Sequence, residues 1–385
     1  MQRSTERILT THIGSLPRPD DVRGLLQARD RGEAYDPAAL AGRVRSAVSD
    51  VVSQQAEVGI DVVADGEQGK NSFTNYIRER LTGFEAINPE PYPGPPEAFP
   101  GYAASLAEAQ SPFSASRGMP PLNVGPIAWK NRDDLAADIA NLKAALDTAG
   151  VVEAFMPAVS PGQVLFTVPT TYYRSDDEYL AALAGVLREE YRAIVEAGLI
   201  LQVDSPDTTM MRNRQLWQVP WADYRRHLGL RLDALNAALD GLPEDRVRFH
   251  VCWGNFEGPH HNDVPLQDVV DLILTVKAGA YSVEGANPRH AHEWEVWQQV
   301  RLPAGKILIP GVIDTVTNFV EHPRLVAQRL TRYAELVGRE NVIAAPDCGF
   351  ATFAFRPPRV HPEIMWAKFA SLVQGARLAS ELLWS

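Results

Sequence analysis

Eight short apolar or alternating runs of strand length, most of them followed by an amphipathic stretch, constrain this chain more than any other feature. They are Ile8–Gly14, Asp61–Glu67, Glu153–Val159, Leu199–Asp204, Arg246–Cys252, Ala280–Glu284, Lys306–Val312 and Asn341–Asp347. Between them, Ala39–Glu57, Asp177–Ala197, Trp221–Leu239, Leu266–Lys277, Arg324–Leu336 and Glu363–Leu383 carry the pattern of crossover helices. A helix between two strands returns the chain to the end it came from, so strands alternating with helices run parallel. Eight such units predict an α/β fold of the (β/α)8 TIM-barrel kind. An open doubly wound sheet is the alternative. No Gly-x-Gly-x-x-Gly follows the first run, which weakens the dinucleotide-binding form of that alternative.

The alternation breaks after the second run. Asn88–Leu122 is rich in proline, glycine and small residues, and proline lacks the N–H that a regular helix or strand requires. The whole chain, 1–385, therefore reads as one barrel domain with an insertion at approximately 86–150. In a barrel that insertion would lie over the catalytic face, as a lid, a binding loop, a solvated excursion or a subunit contact. Assembly into a homo-oligomer is compatible with this reading.

The charge balance excludes some function classes. With 37 Lys and Arg against 48 Asp and Glu, the formal net charge is -11, and no basic patch offsets it. Nucleic acid is thus not an expected partner. No apolar stretch approaches the roughly 20 residues that cross a bilayer, and Met1–Arg7 lacks the apolar core of a signal peptide. A cytoplasmic location, with no membrane partner, is the expectation. In a reducing compartment the two cysteines, Cys252 and Cys348, are buried small side chains, nucleophiles or metal ligands rather than a disulfide.

Unusual polar residues fall at the ends of the runs: Ser15, Glu67, Ser160, Asp204, His250 with Cys252, Glu284, Asp314, and Asp347 with Cys348. The C-terminal strand ends of a (β/α)8 barrel open onto one face, where active sites lie. Groups far apart in sequence would meet there. His250 and Cys252, two residues apart on a strand, point to the same side. Glu284 one strand on and Cys348 at the last strand would complete one nitrogen, two sulfurs and one oxygen, a set that suits tetrahedral Zn2+. His-x-Cys alone is equally explained by a buried histidine bonded to backbone.

Several motifs carry a resemblance: Thr-Thr-His-Ile-Gly-Ser-Leu-Pro-Arg-Pro (10–19), Asp-Gly-Glu (65–67), Gln-Val-Asp-Ser-Pro (202–206), His-Val-Cys (250–252), Val-Glu (283–284), Pro-Gly-Val (310–312) and Pro-Asp-Cys-Gly (346–349). In this order they resemble the catalytic domain of cobalamin-independent methionine synthase, in its short, single-barrel form. The wider family includes epoxyalkane:coenzyme M transferases. The resemblance implies zinc on His250, Cys252, Glu284 and Cys348, activating a small thiol for alkylation. It also implies that Ser15, Glu67 and Asp204 hold the amino-acid part of homocysteine. The partners would be a small thiol acceptor and an alkyl donor. Asp204 could instead cap the following turn, and Glu67 could pair with Arg78 or Arg80.

One departure concerns proton transfer. Where the family carries a histidine after the seventh strand, this chain has Asp314, Thr315 and Val316. Asp314, His260 and His261 are the candidates for a general acid. Trp253, Phe350, Phe353 and Phe355 are either core or part of a donor pocket. Two further readings stay open. An epoxyalkane:coenzyme M transferase would need a cationic clamp for a sulfonate, with Arg18, Lys70, Arg212 and Arg289 available. A non-catalytic barrel would hold a structural zinc whose ligands no thiol disturbs.

Overall fold

The computed structural model describes residues 1–86, 98–105 and 121–385. Its strands are β1 (Leu9–Thr10), β2 (Val62–Val63), β3 (Phe84–Ala86), β4 (Pro121–Asn123), β5 (Glu153–Val159), β6 (Ile200–Asp204), β7 (Val247–Val251), β8 (Ala280–Val283), β9 (Ile307–Ile313) and β10 (Ile343–Pro346). Eight of them form one sheet in the order β1-β10-β9-β8-β7-β6-β5-β2, and every neighbouring pair is parallel. A parallel bridge between Thr11 and Val62 joins the two ends. The sheet is a (β/α)8 barrel, as the alternation predicts.

Strand periodicity of two sorts the side chains into two layers. On β7, Val247, Phe249 and Val251 pack outward into the main core beneath the helices. The inward positions of other strands form two smaller clusters, Leu9, Ile13, Ile307, Ile309 and Ile343 on one side and Val62, Ala64, Phe155 and Ile200 on the other. Arg248 is a buried cation in the barrel interior. It donates to Gln202 Oε1 (2.7 Å) and Thr11 Oγ1 (3.0 Å), reaches the His12 carbonyl, and lies 3.7 Å from the centre of the Phe155 ring.

Local signals fix the helix ends. The helix Pro37–Val58 starts at Asp36, whose carboxylate accepts from the N–H groups of Ala38 and Ala39, and has proline in its first turn. It stops at Gly59, in the left-handed conformation (φ 94°) that glycine adopts without strain. The expected helix Leu266–Lys277 is reduced to a 3-10 turn, Leu266–Asp268, and a single turn, Val270–Ile273. Its β-branched run (Val269, Val270, Ile273, Thr275, Val276) favours helix weakly. The Glu293 carboxylate also accepts the Leu266 N–H (2.6 Å).

The region expected as an insertion is partly regular. Phe84–Ala86 and Pro121–Asn123 pair antiparallel, and Asp133–Ala149 is a helix against Pro37–Val58, the crossover of the second unit. Sequence reasoning missed that helix because the proline-rich stretch before it masked the return of the pattern. Most of that stretch, at 87–97 and 106–120, lies outside the described residues. Among the described residues no helix is long and apolar enough to cross a membrane.

Candidate active site

A cavity of about 420 Å³ opens at the C-terminal ends of the barrel strands, and Ser15, Glu67, Asp204, His250, Cys252 and Cys348 all line it. These residues lie on or just after β1, β2, β6, β7 and β10. Parallel strands deliver them to the same end of the barrel.

His250 and Cys252 leave β7 on the same side, and Cys348 follows β10. One donor atom from each falls within 4.8 Å of the others. Cys348 Sγ is 3.7 Å from His250 Nε2, and His250 Nδ1 has no hydrogen-bond partner among the described residues. Burial, with the Arg248 guanidinium nearby, holds the imidazole at a pKa of about 3. The ring is therefore neutral and can offer a lone pair. The Cys252 thiol is lowered by its hydrogen bond with Cys348, which is itself raised well above its ordinary value. A neutral imidazole beside two sulfurs, one disposed to ionise, fits a borderline-soft divalent cation.

Glu284 stands apart from this group. Its Oε1 accepts the Trp253 N–H (2.7 Å) and its Oε2 accepts the Asn287 amide (2.7 Å). Burial and the neighbouring Cys252 push its carboxyl well up. Asp347, also flagged as a strand-end group, anchors the loop after β8: it accepts the N–H groups of Gly285 (2.9 Å), Ala286 (2.8 Å) and Asn287 (2.9 Å). Ser160 caps the helix Pro161–Thr167 through the Gln163 N–H.

Two buried carboxyls, Glu67 and Asp204, line the same cavity. Glu67 has a left-handed backbone (φ 55°), rare for a residue with a Cβ and costing about 1–3 kcal/mol. Its Oε2 is buried with no hydrogen-bond partner among the described residues. Asp204 Oδ1 accepts from Gln202 Nε2 (2.7 Å). Burial raises both carboxyls, and the charge of Glu67 raises Asp204 further. Neither alternative sequence reading of these two residues is seen. Arg80 instead pairs with Glu190 and Asp138 (both 2.6 Å). Gly14 makes room for Glu67: at φ 126°, a Cβ there would sit 2.9 Å from Glu67 Oε1 and 2.8 Å from the Pro157 ring.

The cations considered for a sulfonate are engaged with backbone or lie on the surface, save that Arg18 keeps a buried Nη2 with no hydrogen-bond partner among the described residues. Arg18 donates to the carbonyls of Glu67 (3.1 Å) and Ala351 (2.8 Å), Lys70 to that of Pro157 (2.6 Å), and Arg212 to those of Leu216 (2.9 Å) and Val219. Arg289 is exposed. The guanidinium groups that do line the cavity are Arg356 and Arg359, beyond β10, which sequence reasoning did not single out.

None of the three candidates for a general acid lines the cavity. Asp314 turns into its own loop, accepting from the Val316 N–H (2.8 Å), the Thr317 N–H (2.8 Å) and the Thr317 hydroxyl (2.7 Å), with Lys368 Nζ 3.5 Å away. His260 has both ring nitrogens engaged, and His261 is exposed against Phe99. In the loop after β9, Thr315 donates to Asn255 Oδ1 (2.6 Å), and Asn255 donates to the Gly349 carbonyl (2.7 Å). This bridge ties three cavity loops together. Only its left-handed Asn255 (φ 45°) marks it locally, a feature no sequence pattern reveals. Of the four aromatics weighed from the sequence, Phe350 and Phe353 line the cavity, beside Phe73, Phe166 and Phe256, whereas Phe355 does not and Trp253 is buried and donates to the Val264 carbonyl (2.7 Å).

The surroundings of Asp314 yield a pH prediction. Burial opposes its ionisation, but the Thr317 hydroxyl and Lys368 prevail and hold its carboxyl below the ordinary 3.8. A depressed folded pKa contributes stability above the unfolded value and loses it as pH falls through the folded one. Asp314→Asn should therefore destabilise the protein by about 1–3 kcal/mol at neutral pH, and the deficit should shrink below pH about 4. Urea unfolding of both proteins across pH checks this; a deficit independent of pH would refute it.

Comparisons with known proteins bear on the chain as a whole. The sequence profile of the cobalamin-independent synthase catalytic domain matches residues 8–90 and 133–361. The methionine synthase of Thermococcus kodakarensis is 23% identical over 372 residues, covering 96% of this chain and 92% of that protein. The 5-methyltetrahydropteroyltriglutamate–homocysteine methyltransferase of Rhodococcus jostii is 25% identical over 379 residues, covering 96% of this chain but only 43% of that longer protein. A B12-independent methionine synthase from Shewanella sp. W3-18-1, solved in complex with selenomethionine, shares the fold with a TM-score of 0.72 at 18% identity, over 98% of this chain and 99% of that one.

Proposed function

The chain belongs to the cobalamin-independent synthase catalytic-domain family, and we propose that it is a zinc-dependent thiol S-methyltransferase acting on homocysteine or a related small aminothiol. The observation that carries this reading is the meeting, in one cavity, of a nitrogen–sulfur donor group with a pair of buried carboxyls. Relatives named methionine synthase and homocysteine methyltransferase supply the reaction class.

His250, Cys252 and Cys348 would hold Zn2+, with Glu284 as a fourth ligand once it exchanges a hydrogen bond for the metal. When bound, zinc supplies the Lewis acidity that ionises a thiol at neutral pH. Glu67 and Asp204 would bind the acceptor's ammonium. A cation between two buried carboxyls favours their ionised forms and satisfies the partner-free Glu67 Oε2. Ser15, beside the Cys348 loop, would take the acceptor's carboxylate. Phe350 and Phe353 exclude water from the approach to the sulfur. One barrel domain, 1–385, would suffice for this acceptor half of the reaction.

Asp204→Asn removes one of the two charges while keeping shape and the Gln202 contact. Acceptor KM should rise roughly 10-fold or more with metal content unchanged, the scale of a lost charge-assisted contact. An unchanged KM for the aminothiol would remove Asp204 from the acceptor site.

A second reading, thiolate opening of an epoxide with coenzyme M as acceptor, draws on Arg356 and Arg359 at the cavity wall. Zinc-edge X-ray absorption with homocysteine, coenzyme M and other thiols separates the readings. A shell that gains sulfur with homocysteine supports the proposal, and one that responds only to coenzyme M favours the second reading. A shell that no thiol alters points to a structural metal.

A further inference from the structure

Beside the candidate active site, a second group of side chains is arranged so that it requires positive charge at its centre. His260 and Asp263 lie on the loop after β7, and His290 lies on the loop after β8. Asp263 Oδ2 is 2.6 Å from His260 Nδ1 and 3.0 Å from His290 Nε2. The remaining nitrogen of each ring meets an atom that can only accept. His260 Nε2 is 2.7 Å from the Phe256 carbonyl oxygen, and His290 Nδ1 is 2.8 Å from Glu293 Oε2.

Those outer contacts fix the tautomers. A neutral imidazole carries one N–H, and here it must face Phe256 O in one ring and Glu293 in the other. His260 Nδ1 and His290 Nε2 are then lone pairs, both aimed at a carboxylate oxygen. Three electron-rich atoms converge within 4.8 Å, and they repel one another unless two extra protons or a cation lies among them. Two protons would make both rings imidazolium. Against burial, Asp263 favours that state in His260, and Asp263 with Glu293 favours it in His290, whose pKa is raised to about 10. It nonetheless sets two like charges on one oxygen where the His260 and Asp263 side chains are only 10% and 7% exposed. One divalent cation supplies the same charge with both rings neutral.

The surroundings match those of metal-bound histidines, whose second nitrogen donates to a carbonyl or carboxylate. Ring packing sets the orientation of each imidazole: Phe256 stacks on His260 with centroids 4.0 Å apart, and Trp253 lies 4.3 Å from His290. Asn213 donates to the other Asp263 oxygen (3.2 Å). We infer that His260 Nδ1, Asp263 Oδ2 and His290 Nε2 form a second metal site, for one divalent transition-metal cation of the zinc class, separate from the sulfur-bearing group. Bonds of about 2.0–2.2 Å would spread these atoms by several tenths of an ångström. The ion would pin the loop that follows Cys252 to the loop that follows Glu284. This inference does not depend on the thiol chemistry proposed above.

The test uses the full chain, freed of metal, reloaded with Zn2+ or Co2+ and desalted. Elemental analysis should give two zinc ions per wild-type chain. The Cys252→Ser/Cys348→Ser protein, which leaves the second group intact, should keep one. Its cobalt form should show ligand-field absorption without the thiolate-to-cobalt charge-transfer band of the wild type. Adding Asp263→Asn to that variant should release the remaining ion. A cysteine-free variant that binds no metal overturns the inference, as does one whose ion is indifferent to Asp263→Asn. Wild-type zinc lost with Asp263→Asn alone but untouched by the cysteine substitutions would support the second site and sink the thiol-metal reading instead.

Discussion

Cys348→Ser is expected to abolish metal retention at the sulfur-bearing group, one ion per chain, and methyl transfer with it, while leaving the barrel folded. The exchange of sulfur for oxygen is nearly isosteric, and Cys348 is buried at the end of β10, so packing changes little. What changes is the donor: a serine hydroxyl is neither soft nor ionised at neutral pH, whereas zinc binds thiolate. Loss of an outer-shell partner alone costs about 10–100-fold in affinity or activity, and loss of a ligand should exceed that. Elemental analysis, a fixed-time methylation assay and far-UV circular dichroism together decide the matter. Full activity in a metal-stripped Cys348→Ser protein would end the proposed mechanism, and a collapsed circular dichroism spectrum would show that the residue holds the fold instead.

Arg80→Leu is expected to cost about 3–5 kcal/mol of stability, the usual effect of removing one side of a buried ion pair. Its guanidinium donates to Glu190 Oε1 and Asp138 Oδ2 at 2.6 Å each, with the Arg80 and Glu190 side chains 5% and 2% exposed. Leucine would leave the Glu190 carboxylate buried with only the Tyr76 hydroxyl (3.1 Å). That tyrosine matters to the cavity. Its hydroxyl accepts the Val159 N–H (3.2 Å), and Lys70, whose charge acts on both Glu67 and Asp204, lies 4.4 Å above its ring. The double variant Arg80→Leu/Glu190→Leu should recover most of the loss, since an apolar pair of similar size often replaces a buried ion pair without penalty. Urea unfolding of the three proteins gives the numbers. A single variant within about 1 kcal/mol of wild type would show that the network contributes little beyond a surface pair.

Much of the fold was legible beforehand. Strand existence and order followed from apolar runs and their spacing, and β5 falls at Glu153–Val159 as expected. The first two strands shrink to two residues each because their far ends bend into the cavity loops, through Gly14 and Gly66 at positive φ. The helix Asp133–Ala149 was hidden by the proline-rich stretch before it. The site was legible where chemistry is rare. Two cysteines and a histidine at strand ends stand out in any chain, and the structure brings them together.

Proton donors were not legible, because a histidine or aspartate in a loop gives no sign of its direction. Asp314 satisfies its own turn and Lys368, and His260 turns away toward Asp263 and Phe256 O. Sequence alone determined the alternation of strands and helices, and with it the end of the barrel where His250, Cys252, Cys348, Glu67 and Asp204 had to meet. Parallel strands joined by crossover helices leave no other choice. Tertiary structure alone decided which polar side chains face the cavity and which hold loops together: Glu284 on Trp253 and Asn287, Asp347 on the β8 loop, Asn255 bridging Thr315 and Gly349. Those choices rest on backbone direction in irregular loops, where no repeating pattern of residues records which way a side chain points.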